Sequence, residues 1–530
     1  MRTTRRTFVR ASLATAAAAL LPISLHTQEG SPARRLIPST REAMPIVGLG
    51  TWITFNVGGD PVLRDECASV MAAFFEAGGR MIDSSPMYGS SQPVIGYGLQ
   101  KLGRPSTLFS AEKVWTSSAT AGPTQIEQSR RFWGVPRFDL VQVHNLLAWK
   151  AHLQTLFEMK AAGAVRYVGI TTSEGRRHDL LEQIMRNEPI DFVQFSYNVV
   201  DREAEKRLLP LASERGIAVI VNRPFRQGAL THRLKGEPLP EWAAELGVSS
   251  WSQLILKFIL SHPAVIVAIP ATTRVDHVRE NLSAAAGPSH AGAHLGLRAG
   301  SLMSEWWTYR PEDFLLFSPR VYWRMFELHN AALWPLQVLT FAAGLIIILL
   351  VAWRPRSSAR WLALLLAILW IFVGWSFLWN RYAAINWAAA YVAPAFAVEG
   401  VLLLVSGPLL DGLAFDRRGL AGWIGYFILA FALAGQPLLA PLQGRGWASS
   451  EVFGIAPDPT AIATLGLLLL ARGRLLPLLL PIPVLWCLLS GITLRTMGEP
   501  QAWALHAALA LAAAACIWTI IRQRGSPPTA

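Results

Sequence analysis

The chain has 530 residues, beyond the ~250–300 at which a single hydrophobic core stops growing, so it holds more than one domain. With 52% apolar and 16% charged residues and a mean hydropathy of +0.33, it is neither a disordered chain nor a wholly water-soluble one. The formal charge of +13 sits on arginines near the N-terminus and between apolar runs, with no basic stretch interleaved with aromatics. Orientation in a membrane accounts for that pattern, and nucleic acid is not an expected partner.

The chain opens with Thr4-Arg5-Arg6-Thr7-Phe8-Val9-Arg10 ahead of a modestly apolar run at 11–25. Paired arginines before a short apolar region read as a twin-arginine export signal over residues 1–30. The run is too short and alanine-rich for a membrane span. No clear A-x-A site follows it, so both removal and retention as an anchor stay open. The other reading is an amphipathic helix with a basic start. Cys67, Cys487 and Cys516 are the three cysteines, too few and too scattered for a disulfide framework or a CxxC metal site.

From about Met44 to Ala286, within an expected barrel domain of residues 36–290, the chain repeats one unit eight times. Strand candidates fall at 45–50, 80–84, 107–114, 138–144, 165–171, 192–197, 217–222 and 265–269. Helical patterns such as 65–77, 150–162, 201–215 and 251–260 lie between them. Continuous apolar runs separated by amphipathic helices indicate parallel strands buried on both faces. Eight such units predict an α/β fold, a closed (β/α)8 TIM barrel; no GxGxxG follows the first strand, against a doubly wound sheet.

Residues 291–332, with Gly300, Pro311 and Pro319, read as a connector lying against the bilayer. Residues 333–522 hold only six acidic residues, and all seven lysines of the chain lie at or before Lys257. This region predicts an all-α transmembrane bundle with spans at 336–353, 361–379, 382–403, 420–442, 475–494 and 502–521. A seventh at 460–471 reaches spanning length only if 453–459 joins it; seven spans are expected, with six as the alternative. With seven, nine arginines (354, 356, 360, 417, 418, 472, 474, 522, 524) fall on one side and three (381, 445, 495) on the other. That places the C-terminus in the cytoplasm of a bacterium and the barrel in the periplasm, although Arg320 and Arg324 argue mildly the other way. Glu399 reads as an interfacial carboxylate or a proton or ligand site, and Asp458 as part of a turn.

In a (β/α)8 barrel the chemistry belongs at the C-terminal strand ends. These ends carry Asp83 and Tyr88 after the second strand, Lys113 on the third and His144 on the fourth. A tyrosine is too weak an acid at neutral pH without a nearby cation. Lys113 can be that cation, held by Asp83, with Tyr88 as the general acid that protonates an oxygen as hydride reaches its carbon. His144 can hydrogen-bond the same oxygen. The hydride must come from a cofactor.

On Gly48-Leu49-Gly50-Thr51-Trp52, Ile82-Asp83-Ser84-Ser85-Pro86-Met87-Tyr88-Gly89, Glu112-Lys113-Val114, Asp139-Leu140-Val141-Gln142-Val143-His144, and Ile269-Pro270-Ala271-Thr272-Thr273-Arg274 through Glu280-Asn281, the first half resembles the aldo-keto reductases. The resemblance implies a barrel that binds NADP(H), a tetrad of Asp83, Tyr88, Lys113 and His144, and a small carbonyl substrate. It further implies a cofactor site of Thr51, Trp52, Asp83, Thr172, Ser173, Gln194, Asn222, Pro270, Thr272, Arg274, Glu280 and Asn281. Thr172, Ser173 and Gln194 would hold the nicotinamide carboxamide, Thr272 and Arg274 the 2′-phosphate, and Glu280 with Asn281 the adenine. Asn222 stands where the family places a stacking aromatic ring; Phe225 or Trp52 would have to compensate. The apolar half resembles multi-pass membrane proteins carrying a domain of unknown function, on Glu451-Val452-Phe453-Gly454-Ile455-Ala456-Pro457-Asp458-Pro459-Thr460.

The expected function is therefore an NADP-dependent aldo-keto reductase tethered to the membrane. The alternative is a catalytically weak, ligand-sensing barrel that regulates a transporter-like bundle, and a fusion of two independent functions is a third.

Overall fold

The computed structural model describes residues 33–173, 175–286, 311–353, 357–410, 412–415 and 419–525. The signal segment and the first part of the connector lie outside these. Eight strands, each buried on both faces, form one parallel sheet: β3 (Leu49–Gly50), β4 (Met81–Asp83), β5 (Phe109–Val114), β6 (Phe138–His144), β7 (Val165–Thr171), β8 (Phe192–Ser196), β9 (Ala218–Asn222) and β10 (Val265–Ala268). The sheet closes on itself where Gly48 N donates to Ala268 O at 2.8 Å and Gly50 N to Pro270 O at 3.0 Å. Gly50 is needed there, because a Cβ would lie 2.8 Å from Ile269 O. The fold is a (β/α)8 barrel followed by a helical region.

A short antiparallel hairpin, β1 (Arg34–Leu36) with β2 (Ala43–Pro45), covers the N-terminal end. It splits the first predicted strand, so that 45–50 is part hairpin and part barrel. Its Ile37 and Met44 are fully buried against Phe109, Tyr167 and Phe192, whose rings pack 5.3–6.1 Å apart. The lower barrel is thus filled by side chains, and only the C-terminal end is left for chemistry.

The helix Pro61–Glu76 starts at Asp60, whose Oδ1 accepts from Val62 N at 2.9 Å. Its other oxygen accepts from Arg324 Nε at 2.7 Å, on the connector helix Pro319–Leu333. That helix touches both halves of the chain. Arg320 pairs with Glu66 of the barrel at 2.8 Å, while Asn330 Nδ2 donates to Ala448 O and Ser450 O at 2.8 Å each on the bundle. An amphipathic helix with arginines on one side and Trp323 and Phe326 on the other suits two unlike neighbours.

Among the described residues, six helices are long and apolar enough to cross a membrane: Leu336–Trp353, Ser358–Ala384, Ala389–Leu409, Leu420–Leu442, Leu476–Thr496 and Ala502–Thr519. The seventh expected span is corrected to a shorter element, Pro457–Leu470, whose 14 residues are all buried. At 1.5 Å per residue it rises only ~21 Å, less than a ~30 Å hydrocarbon core. It still runs from one end of the bundle to the other. Near its start Gln501 reaches Arg445, and just beyond its end Arg472 N donates to Ala414 O at 2.7 Å. Gly466 lets it approach the helix Leu420–Ala430 closely, since a Cβ there would lie 2.8 Å from Gly425 O.

Candidate active site

The four titratable residues predicted at the strand ends come together. Lys113 Nζ lies 2.5 Å from Asp83 Oδ1 and donates to Ser84 O at 2.9 Å, with both side chains buried. It also sits 5.3 Å from the centre of the Tyr88 ring. The ring of His144 stands perpendicular to that of Tyr88, with centroids 5.8 Å apart. Parallel pairing places them: Asp83 is opposite Ala111 on β5, and His144 is opposite Thr171 on β7, so all open at one end.

Asp83 is supported from the barrel interior. Its Oδ2 accepts from Gln142 Nε2 at 3.4 Å, and Gln142 also donates to Gln194 Oε1 at 2.9 Å. Burial raises the Asp83 pKa, opposed by Lys113, Gln194 and Gln142. Burial pulls Lys113 down, but the Asp83 carboxylate and its hydrogen bond act the other way, and the Lys113 pKa is raised overall. Tyr88 is pushed up to about 12, chiefly by burial, with Lys113 pulling the other way and Asp83 and Glu112 adding to the rise. Lys113 does act to lower the Tyr88 pKa, as the sequence suggested, but burial raises it by more. Tyr88 stays a protonated donor at neutral pH.

His144 is held well below the ordinary histidine range by burial and by the Lys113 charge, so it is neutral. Its Nδ1 lies 2.7 Å from Ser85 Oγ, which already accepts from Met87 N at 3.2 Å. The Ser85 hydroxyl has one proton to give and a second acceptor position, so it pairs with either tautomer of the ring and donates to Nδ1 when that nitrogen carries no proton. In that tautomer the ring proton sits on Nε2.

Sequence reasoning gave no role to Ser85, Gln142 or Glu112. Glu112 is wholly buried behind Lys113, where it accepts from Trp133 Nε1 at 2.7 Å, Gln92 Nε2 at 2.9 Å and Lys113 N at 2.9 Å. Burial pushes its pKa up to about 7. A carboxylate in a strand with no basic partner in the sequence pattern was the available signal.

The residues assigned to a cofactor lie along one side of the mouth. Thr51 is buried and donates to Asp83 O at 2.8 Å. Trp52 is 6.3 Å from the Tyr88 ring, with the Arg223 guanidinium 4.4 Å over its face. Asn222 donates to Thr172 O at 2.9 Å and accepts from Ser196 Oγ at 2.7 Å, which fixes its amide across the strand ends. Phe225 packs into the core, so Trp52 is the aromatic face nearest Tyr88 of the two proposed to compensate for Asn222. Ser173 is half-buried beside Thr172, and Pro270 is buried at the barrel seam. Among the described residues, buried Thr172 Oγ1 and Trp52 Nε1 have no hydrogen-bond partner, as expected of groups that await a polar ligand.

At the other end of this strip Thr272 Oγ1 accepts from Arg274 N at 3.1 Å. Arg274 is exposed, but its guanidinium is turned onto Asp276, with Nε to Oδ1 at 2.9 Å and Nη2 to Oδ2. Glu280 accepts from Ser250 Oγ, and Asn281 is buried. The structure therefore gathers the tetrad and the nicotinamide-side residues tightly, and leaves the expected phosphate arginine engaged by its own helix.

Residues 46–288 match the sequence profile of the aldo/keto reductase family, and residues 319–526 that of a family of unknown function, DUF6064. The match to the aldo/keto reductase family thus spans the barrel, a little under half of the chain. It is similar to the NADH-specific methylglyoxal reductase of Escherichia coli (strain K12), 24% identical over 299 residues, which cover 45% of this chain and 89% of that protein. An oxidoreductase of Schizosaccharomyces pombe is 34% identical over 164 residues, 30% of this chain and about half (51%) of its own length. Among solved structures, the aldo-keto reductase AKR11C1 from Bacillus halodurans is 22% identical with a TM-score of 0.44, covering 52% of this chain and 99% of its own. The aldo/keto reductase from Klebsiella pneumoniae in complex with NADP and acetate is 24% identical with a TM-score of 0.41, covering 46% and 87%.

Proposed function

We propose that this protein is a membrane-tethered, nicotinamide-dependent reductase that converts an aldehyde or ketone to an alcohol. The observation that carries this reading is the buried Lys113–Asp83 pair beneath the Tyr88 ring, with neutral His144 at right angles to it. A nicotinamide bound along Thr172, Gln194 and Asn222 supplies the hydride. The protein's own residues do the rest. His144 Nε2–H and the Tyr88 hydroxyl donate to the carbonyl oxygen and fix its orientation. As negative charge develops there, Tyr88 releases its proton to that oxygen, and the Lys113 ammonium stabilises the phenolate left behind. Asp83, anchored by Gln142, keeps the ammonium in place.

NADPH is the cofactor implied by Thr272 and Arg274. The loops on the barrel side of the bundle hold Arg381, Arg445 and Arg495, against nine arginines in the others, which supports a periplasmic barrel on a bacterial inner membrane. The test is NADPH and NADH oxidation by the full-length protein in nanodiscs with a panel of aldehydes and ketones, beside Tyr88→Phe. Turnover that vanishes in the variant is expected; cofactor binding without carbonyl-dependent oxidation would sink the enzyme reading in favour of a sensing barrel.

A further inference from the structure

The barrel's open end is turned toward the membrane half rather than away from it. Gly89, which follows the catalytic Tyr88, packs so closely on Asn56 that a Cβ would lie 2.4 Å from Asn56 Oδ1. Asn56 in turn donates to Ile385 O at 2.7 Å, in the turn between the second and third long apolar helices. On the adjacent strand end, Trp115 stands two residues beyond Lys113. Its ring lies 5.7 Å from that of Trp387, at the start of the third helix. Two loops of the catalytic mouth therefore rest on the barrel-side end of the same helical pair.

That end carries an aromatic belt. Trp375, Trp379, Trp387 and Tyr391 are 63%, 55%, 43% and 76% exposed, far more than large aromatic rings are in a packed core. Such rings mark the level where hydrocarbon meets headgroups. The Trp115–Trp387 contact puts that level at the rim of the active site. On the barrel side the lip is Trp115, half-buried just past the end of its strand. A long-chain aldehyde or ketone in a bilayer holds its polar carbonyl at the interface and its alkyl chain below. This is the orientation in which it could slide over Trp387 and present the carbonyl to Tyr88.

Resting on the reductase reading above, we propose that the substrate is a membrane-partitioned aldehyde or ketone with a long alkyl chain, taken from the bilayer across the Trp115–Trp387 lip. The carbonyl carbon gains the cofactor's hydride and the oxygen gains the Tyr88 proton, so the product is the corresponding alcohol and the oxidised nicotinamide.

The experiment uses the full chain in phosphatidylcholine vesicles with external NADPH and aldehydes from butanal to hexadecanal. The apparent kcat/KM is expected to climb with chain length, by about fourfold per methylene while partitioning governs it. Hexadecanal placed in the enzyme's own vesicles should be reduced at least tenfold faster than hexadecanal in separate vesicles, and Trp387→Asp should flatten the chain-length slope. Butanal turnover with no chain-length dependence, or equal rates from own and separate vesicles, would overturn the membrane route and leave the reductase standing. No oxidation with any aldehyde, butanal included, would remove the reductase reading and this inference together.

Discussion

The side-chain amide of Asn56 donates to the carbonyl of Ile385 at 2.7 Å, across 329 residues of sequence, and to that of Leu316 at 2.8 Å. Its oxygen accepts from Ser90 N and Ser90 Oγ, both at 2.9 Å. One fully buried amide thus ties the loop behind Tyr88 to the connector and to the helical bundle. Asn56→Ala leaves several buried groups unpaired and is expected to cost about 2–4 kcal/mol. Thermal unfolding of the full chain should show the loss, and kcat should fall as the Tyr88 turn loosens. An unchanged midpoint would mean that this tie contributes little.

Removal of the Lys113 charge tests the core of the chemistry. Lys113→Met is expected to lower kcat by at least ~10²-fold, the usual scale for a lost acid–base partner, with little change in cofactor affinity. It also strands Asp83 in a dry site, so the variant should melt earlier by about 3–5 kcal/mol. Cofactor titration by fluorescence separates the two effects.

Ser85 is predicted to set the tautomer of His144. In Ser85→Ala the ring nitrogen facing position 85 loses its hydrogen-bond partner, and kcat/KM should drop about three- to tenfold. Nitrogen NMR of labelled histidine should show a single Nε2–H form in the native protein and a mixed one in the variant. Because His144 is neutral well below the ordinary range, activity should show no acid limb near pH 6.5.

Glu112 makes stability depend on pH in a defined direction. Folding raises its pKa from 4.5 to about 7, so the folded state keeps a proton that the unfolded state gives up between those values. Its contribution is fully present below about pH 4.5 and is lost as pH rises to about 7, by roughly 3 kcal/mol. The same window should shrink in Glu112→Gln; denaturant midpoints at pH 5 and pH 8 measure it.

Asp276 competes with a phosphate for Arg274. Asp276→Asn should therefore raise NADPH affinity about two- to fivefold relative to NADH, the scale of an exposed ion pair. Equal gains for both cofactors would show that Arg274 does not contact the 2′-phosphate.

The barrel was readable because each strand is a continuous apolar run and each connection an amphipathic one. Tyr88, Lys113 and His144 stood out at strand ends. What escaped depends on pairs distant in sequence. Ser85 meets His144 59 residues on, and Asn56 meets Ile385 329 residues on. The hairpin of Arg34–Leu36 with Ala43–Pro45 is too short and too mixed in character to carry a period. Arg274 looked free to bind phosphate because the sequence does not show its fold back onto Asp276. The connector's two arginines looked like topology signals, yet they are ligands for Glu66 and Asp60.

The short helix Pro457–Leu470 bears on how the molecule is made. A segment of 14 residues that opens with Pro-Asp-Pro partitions poorly from a translocon by itself. Gly454 N, just ahead of the helix, donates to its Thr460 Oγ1 at 2.9 Å, but Asp458 finds its partners across the bundle, where it accepts from Trp486 Nε1 and Ser490 Oγ at 2.8 Å each. The last two partners are synthesised after it. This helix must therefore wait at the membrane until Pro481–Thr496 arrives, which makes insertion of the bundle's second half a concerted event rather than a span-by-span one.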